Sequence, residues 1–256
     1  AVDITLADLF AMNVIDSAVT LACVSNEVGG HLVGNAVWTG VPLVDVLELA
    51  GPLELAEQVM AWSVDSFSAG FPLSALGGDR TALVAFGMNG EPLPFRHGFP
   101  ARLVIAGLYG YVSAVKWLER IELTTMDIDG YWIPRGWAKE APIKIASRID
   151  VPVRPQTTPG GQAVAGVAWA PVVGVAAVEL AIDDGPWAPC RLERGSGPGR
   201  DGEAWVQWFT VWDAEPGLHH LRVRAWDRNG VLQPPGPKHI APDGAEGYHT
   251  RRVLVV

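Results

Sequence analysis

Residues 20–40 read TLACVSNEVGGHLVGNAVWTG. A short apolar run over residues 19–24 carries one cysteine, Cys23, and a polar, glycine-rich loop follows: Ser25, Asn26, Glu27, Gly29, Gly30 and His31. The chain then returns through Val37 and Trp38 to a helix start at Gly40-Val41-Pro42. Strand, loop, strand and helix in so short a span point to an α+β architecture. A thiol at the end of a buried strand, facing backbone N–H groups and small side chains, is placed to meet a ligand. The same residues also suit the commonest fate of a free cysteine, a small buried hydrophobe.

Working outward, residues 4–12 have helical spacing, with Leu6, Leu9 and Phe10 on one side. Residues 42–50 read as a helix with Pro42 in its first turn and Gly51-Pro52 as its stop. Residues 59–64 and 82–88 read as buried strands with a polar loop, residues 65–70, between them. Asn89-Gly90 is a hairpin signal. Residues 102–106 and 115–123 complete the strands of this half, the second with near alternation.

Past Pro142 the pattern changes. Residues 155–161 form a turn-rich link, and short strands then recur at regular intervals: 164–169, 177–182, 187–192, 205–212, 218–226 and 253–256. Strict alternation in Leu221-Arg222-Val223-Arg224-Ala225 marks a sheet with one buried and one wet face. About seven such strands read as an immunoglobulin-like sandwich. The expected division is therefore residues 1–150 and 151–256. Cys190 falls near a hairpin of the sandwich and reads as structural.

Composition narrows the function. The 256 residues are 49% hydrophobic and 18% charged, which describes a folded chain rather than a disordered one. Net charge is -9 with no basic run, so a nucleic-acid partner is not expected. The two cysteines form no pair motif, and the six histidines show no metal-ligand spacing, so zinc is unsupported. The longest uncharged run, residues 103–115, is too short to cross a bilayer. The chain opens at Ala1, almost at once inside an apolar pattern, and reads as a piece of something longer.

The second informative stretch is residues 88–118, MNGEPLPFRHGFPARLVIAGLYGYVSAVKWL. His97, Arg102 and Lys116 are set around a backbone broken by Gly98, Gly107 and Gly110. Imidazole, guanidinium and ammonium with open N–H groups suit a phosphorylated, hydrogen-bonding cofactor. Taken singly, each is equally an ordinary surface charge.

Together these stretches resemble the sulfite oxidase family of molybdenum-pterin enzymes. The resemblance rests on Cys23 with Asn26, Trp38-Thr39-Gly40-Val41-Pro42-Leu43, Asp65, Met88-Asn89-Gly90, His97-Gly98-Phe99-Pro100 with Arg102, and Val115-Lys116-Trp117. It continues through Trp169, Asp184-Gly185-Pro186-Trp187 and Trp205…Trp208…Trp212 into that family's immunoglobulin-like dimerisation domain. It implies a mixed α/β molybdopterin-binding domain followed by the sandwich. It also implies Cys23 as the protein's thiolate ligand to molybdenum, beside the pterin's two dithiolene sulfurs. Asn26, Asp65, His97, Arg102, Ser113 and Lys116 would be the residues that hold the pterin and its phosphate. Tyr131 would be the catalytic tyrosine, with Tyr109 as the other candidate.

The activity so implied is two-electron oxygen-atom transfer on a small substrate, a sulfoxide or an oxyanion. Lacking a haem motif, the chain would pass electrons to a separate carrier, and a homodimer through the second domain is the default. A related bacterial set suggests an extracytoplasmic domain behind a membrane anchor. The family's N-terminal segment, which completes the pterin pocket, precedes Ala1, so the cofactor is expected to be weakly held or absent here. The chain also departs from the family. Glu27 and Val28 stand where animal and plant members carry basic residues, and residues 171–175 hold no arginine. Arg135 and Arg148 are the remaining sources of substrate charge, each equally readable as a surface or interface residue. Two alternatives stay open: a binding or assembly module that keeps the fold without the chemistry, and a cysteine hydrolase using Cys23 and His97.

Overall fold

A computed structural model describes residues 1–51, 55–78 and 80–256. The first half opens with helix α1 (Leu6–Ala11), whose N-terminus is closed by a reciprocal pair: Asp8 N–H donates to Thr5 Oγ1, and Thr5 N–H to Asp8 Oδ2 at 2.8 Å. Strands β1 (Ile15–Ala22) and β2 (Val33–Pro42) pair antiparallel and carry the 23–32 loop at their tip. Helix α2 (Leu43–Leu49) follows directly, burying Leu43, Val46 and Leu47 at the expected i, i+3, i+4 spacing. Pro52, the expected helix stop, lies outside the described residues.

Strands β3 (Gln58–Ser63) and β4 (Ser68–Pro72) form a hairpin, then β5 (Ala82–Met88), β6 (Glu91–Pro92) and β7 (Arg102–Ile105) follow. The Asn89-Gly90 turn sits between β5 and β6, with φ of 55° and 80° at its two residues, the left-handed pair that such a turn requires. A single-turn helix α3 (Gly110–Ser113) leads to β8 (Leu118–Thr124). One sheet runs β1-β2-β5-β6 with β7 on β5, and a second runs β4-β3-β8.

The second half is a two-sheet sandwich. Its strands are β9 (Ala146–Val151), β10 (Gln156–Thr157), β11 (Gly160–Trp169), β12 (Val175–Ile182), β13 (Ala188–Pro189), β14 (Arg191–Glu193), β15 (Val206–Ala214), β16 (Gly217–Asp227) and β17 (His249–Val255). The sheets run β10-β17-β16-β12-β13 and β14-β15-β11-β9. Val164, Val178, Trp208, Leu221, Val223 and Val253 meet between them, each fully or almost fully buried. Fully burying a large apolar side chain contributes roughly 1.5–3 kcal/mol, so this layer is a main source of the sandwich's stability. Cys190 packs against the same core, and burial pushes its thiol up to about 12.

The structure corrects several sequence expectations. Only half of the polar loop at 65–70 is loop, because β4 starts at Ser68. The strand expected from Val115 starts at Leu118, because Trp117 has a φ of 47°, which no strand accommodates. Residues 187–192 are not one strand: β13 and β14 belong to different sheets. Part of the 155–161 link is strand, as β10 pairs with β17. The sandwich takes its first strand, β9, from residues that pair with β11. Helices are few and short among the described residues, so the helical share of the α+β expectation is small. No helix among them is long and apolar enough to cross a membrane.

The two halves are joined along β1. Ala18 N–H donates to Pro198 O at 2.8 Å, Thr20 N–H to Glu203 O at 3.0 Å, and Trp205 N–H to Thr20 Oγ1 at 2.8 Å. The sandwich thereby covers an edge that would otherwise offer unpaired backbone groups.

Candidate functional site

The loop after β1 is fixed from within and from behind. Cys23 and Leu32 are joined by a backbone hydrogen bond of 2.9 Å, and Asn26 N–H closes a turn on Cys23 O at 3.0 Å. Asn26 Oδ1 accepts from Leu32 N–H at 2.7 Å, which spends its carbonyl on the loop itself. Behind the loop, Arg148 donates to Gly30 O at 2.8 Å while pairing with Asp150 at 2.6 Å. The His249 imidazole lies so close under Gly29 that a Cβ there would come within 2.4 Å of it. Cys23 itself is exposed, so the buried-hydrophobe reading fails.

Behind the loop, Tyr109 lines a cleft with Ala22 and Asn26. Burial pushes its phenol up to about 12, helped by the negative charges of Asp243, Glu246 and Cys23. Its oxygen accepts from Lys144 N–H at 3.5 Å. Gly244 packs directly on it, where a Cβ would sit 2.5 Å from the oxygen. Sequence reasoning missed what surrounds this phenol: Lys144 pairs with Asp243 at 2.9 Å and with Glu246, and Lys238 pairs with Asp243 at 3.0 Å. Burial alone would lower Lys144, but its hydrogen bonds to Glu246 and Asp243 hold it above the ordinary lysine range. Lys238, Asp243 and Glu246 are visible in the sequence, but no local pattern joins them to Lys144, about a hundred residues away.

The second group is basic. Arg102 is 4 % exposed, its guanidinium 4.9 Å from the Trp38 ring centroid, and it donates to His97 O at 3.1 Å and Leu103 O at 3.2 Å. Lys116 Nζ donates to Arg96 O at 2.9 Å. Gly98, at φ 110°, lets the backbone pass between them: a Cβ there would lie 3.0 Å from that of Lys116 and 3.1 Å from that of Arg102. Among the described residues none of Arg96, His97, Arg102 and Lys116 is paired with a carboxylate. Burial lowers Arg102 to about 10, and burial together with the neighbouring cations lowers His97 and Lys116. One buried and two half-buried cations that repel one another and have no carboxylate partner among the described residues fit an anion brought from outside.

A third group holds Asp65 and Tyr131. Asp65 Oδ1 accepts from Phe67 N–H at 3.1 Å, which lowers its pKa, and Phe67 packs on Tyr131 with centroids 5.8 Å apart. Tyr131 is exposed, and the Arg135 guanidinium lies 3.7 Å from its ring centroid. Of the two candidate tyrosines, Tyr109 lines the cleft with Ala22 and Asn26, while Tyr131 packs with Phe67 and Arg135. The Ser113 hydroxyl is fully buried and donates to Leu108 O and Tyr109 O.

Residues 107–118 string the groups together. Tyr109 lines the cleft behind the Cys23 loop, α3 packs on β4, Val64 N–H donates to Trp117 O next to the Asp65 turn, and Lys116 lies at Arg102. His97 belongs to the basic group and Cys23 to the tyrosine group, with no hydrogen bond between them among the described residues, so the hydrolase pair is not assembled.

Comparison with known proteins identifies the family. Human mitochondrial sulfite oxidase is 28% identical over 279 residues, covering 91% of this chain and 51% of that protein. An uncharacterized oxidoreductase of Bacillus subtilis, YuiH, is 39% identical over 101 residues, covering 40% of this chain and 50% of that protein. The crystal structure of the sulfane dehydrogenase SoxCD from Paracoccus pantotrophus superposes with a TM-score of 0.81 at 23% identity, covering 98% of this chain and 72% of that one; it shares the fold. The chain spans about half the length of the human relative. The family described as oxidoreductase molybdopterin binding domain matches residues 1–132, half of the chain, and the chain belongs to that family.

Proposed function

We propose that this chain is the core of a molybdenum-pterin oxidoreductase in which the Cys23 thiolate is the protein ligand to the metal. The observation that carries the reading is the basic group: Arg96, His97, Arg102 and Lys116 gather without a carboxylate, on the same segment that sets Tyr109 behind the loop of an exposed Cys23. A structural role needs none of these choices, since an unpaired buried guanidinium costs stability. When bound, the molybdenum-pterin group supplies two-electron oxygen-atom transfer to or from a small substrate, a sulfoxide or an oxyanion.

The chain's own residues then have separate tasks. Arg102 and Lys116 hold the phosphate by charge-assisted hydrogen bonds, and His97 adds a third donor when protonated. Asp65, already turned by Phe67 N–H, accepts from pterin N–H groups with its second oxygen. Cys23 offers a soft thiolate, which metal binding keeps deprotonated. The Tyr109 O–H donates toward the reacting oxygen. A separate carrier takes or supplies the electrons. The two-sheet sandwich, expected over residues 151–256 and opened by β9, is read as the immunoglobulin-like dimerisation unit, following the cofactor-binding unit expected over residues 1–150. An extracytoplasmic, membrane-anchored parent belongs to the same reading and rests on resemblance alone.

The test is metal analysis with fluorescence of the oxidised pterin, on full-length protein made in a host that synthesises the cofactor. Molybdenum near one per chain, lost in Cys23→Ser together with activity, is expected. Full-length protein with neither metal nor pterin would overturn the reading.

A further inference from the structure

We propose that His249 is a positioning residue for Cys23: its neutral imidazole pins the 23–32 loop to the sandwich, and protonation of its Nδ1 releases that loop. The proposal rests on the molybdenum-pterin reading for the role of Cys23, and on the contacts of the ring alone for the loop. His249 opens β17 in the second half, yet its side chain reaches the loop between β1 and β2 in the first.

The ring's protonation state is fixed by its partner. Ile149 N–H donates to His249 Nδ1 at 2.9 Å. A nitrogen that accepts an N–H carries no proton, so the ring is neutral with its proton on Nε2. Ile149 is buried, beside the shift in register between β9 and β11, so its N–H has no water to turn to. An imidazolium here would set donor against donor and leave both unpaired.

The charges around the ring oppose the imidazolium as well. Arg251 comes from β17 itself, Arg148 from β9 and His31 from the loop; the carboxylate facing the ring, Asp150, is already paired with Arg148. Burial and these cations lower the His249 pKa below its ordinary 6.5. The released ring therefore binds protons more readily than the pinned one, so the grip is complete above 6.5 and is lost as pH falls below it.

On the loop side the ring bears on Gly29, at φ 76°, where a Cβ would come 2.4 Å from Cδ2 and 2.5 Å from Nε2. The next residue, Gly30, is held through its carbonyl by Arg148 at 2.8 Å. β9 and β17 thus grip the loop at two adjacent residues, one by a charged donor and one by a ring that must stay neutral. A closed circuit of hydrogen bonds carries that grip to the thiol's residue: Gly30 N–H to Glu27 O, Leu32 N–H to Asn26 Oδ1, Asn26 N–H to Cys23 O and Cys23 N–H to Leu32 O.

The test is hydrogen exchange on the full-length, cofactor-free protein, read at the Cys23, Gly30 and Leu32 N–H groups between about pH 7.5 and about pH 5. Protection in wild type should fall several-fold on acidification. His249→Asn sets a carbonyl oxygen where Nδ1 stood and does not titrate, so it should keep wild-type protection at the upper pH and lose the fall. His249→Ala should lose the protection at both. If His249→Asn folds poorly, the ring nitrogen shifts of wild type decide the question: Nδ1 should be bare and Nε2 protonated at the upper pH, and protonation of Nδ1 should accompany the loss of protection. A proton on Nδ1 at the upper pH, or the same acid fall in His249→Asn and wild type, would overturn the proposal. On metal-loaded protein, acidification should strip molybdenum faster from wild type than from His249→Asn, and equal rates would remove His249 as a positioning residue for Cys23. A protein that carries no molybdenum would instead sink the functional reading, while the exchange measurement still reports on the loop.

Discussion

At one end of residues 107–118, Arg96, His97, Arg102 and Lys116 gather without a carboxylate; at the other, Lys144 and Lys238 share Asp243 and Glu246. Both groups are cationic at their centre, and both are partly or wholly buried. The first is incomplete as a piece of folded protein, since its charges repel and are desolvated. The second is complete, because its lysines have their counter-charges within the chain. An incomplete cluster is a site for something that arrives, whereas a complete one fixes geometry and removes charge from its surroundings.

Removing a cation should therefore act differently at the two ends. The largest effect is expected from Arg102→Met. A charge-assisted hydrogen bond contributes about 1.5–3 kcal/mol, so pterin retention in the full-length protein should fall at least about tenfold. The cofactor-free protein should change by less than about 1 kcal/mol in urea unfolding, because the loss of contacts is offset by relief of an uncompensated charge. Equal loss of stability and cofactor would mean that Arg102 merely supports the fold.

Next comes Lys144→Met. It leaves Asp243 and Glu246 facing each other beside Tyr109, and unfolding should show a loss of about 2 kcal/mol. That is below the ~3–5 kcal/mol of a fully buried pair, because Lys238 remains and the site is partly wet. Adding Glu246→Gln should restore part of the loss, and no restoration would break the idea of a self-contained network.

The smallest effect is on pH dependence. Burial and its cationic neighbours depress His97 in the folded protein, below its ordinary 6.5. Between the two values the unfolded chain binds more protons, so His97's contribution is present above 6.5 and lost as pH falls below it. His249 acts in the same direction. Cofactor-free His97→Gln should accordingly lose less stability than wild type as pH falls below 6.5. Pyrophosphate should flatten the wild-type slope by the same route, since a bound polyanion favours protonated His97. Identical slopes in the variant and wild type would remove His97 from the basic group.

What could be read from the sequence followed from local rules. Alternation marked β16, helical spacing marked α2, and Asn89-Gly90 marked its turn with the required left-handed backbone. His97, Arg102 and Lys116 lie within twenty residues of one another, so their grouping was visible as a pattern. The pairing of Lys144 was not, because its partners arrive from the far end of the sandwich. Nor could the sequence choose between Tyr109 and Tyr131. Their surroundings differ in ways no local pattern shows: residues 141–144 and Gly244 pack onto one phenol, while Phe67 and Arg135 take the other. Ser113 looked available in sequence, but the single turn of α3 points its hydroxyl into the backbone. Trp117 ended a strand early through one left-handed residue that no periodicity announces.

X-ray absorption at the molybdenum edge, on full-length protein beside its Cys23→Ser variant, tests the central assignment most directly. Cys23 is exposed, so the substitution should leave stability within about 0.5 kcal/mol and the comparison clean. One sulfur ligand fewer in the variant, with the basic group still retaining pterin, is the predicted result. The same sulfur count in both proteins would contradict it, and would leave the exposed thiol without its role.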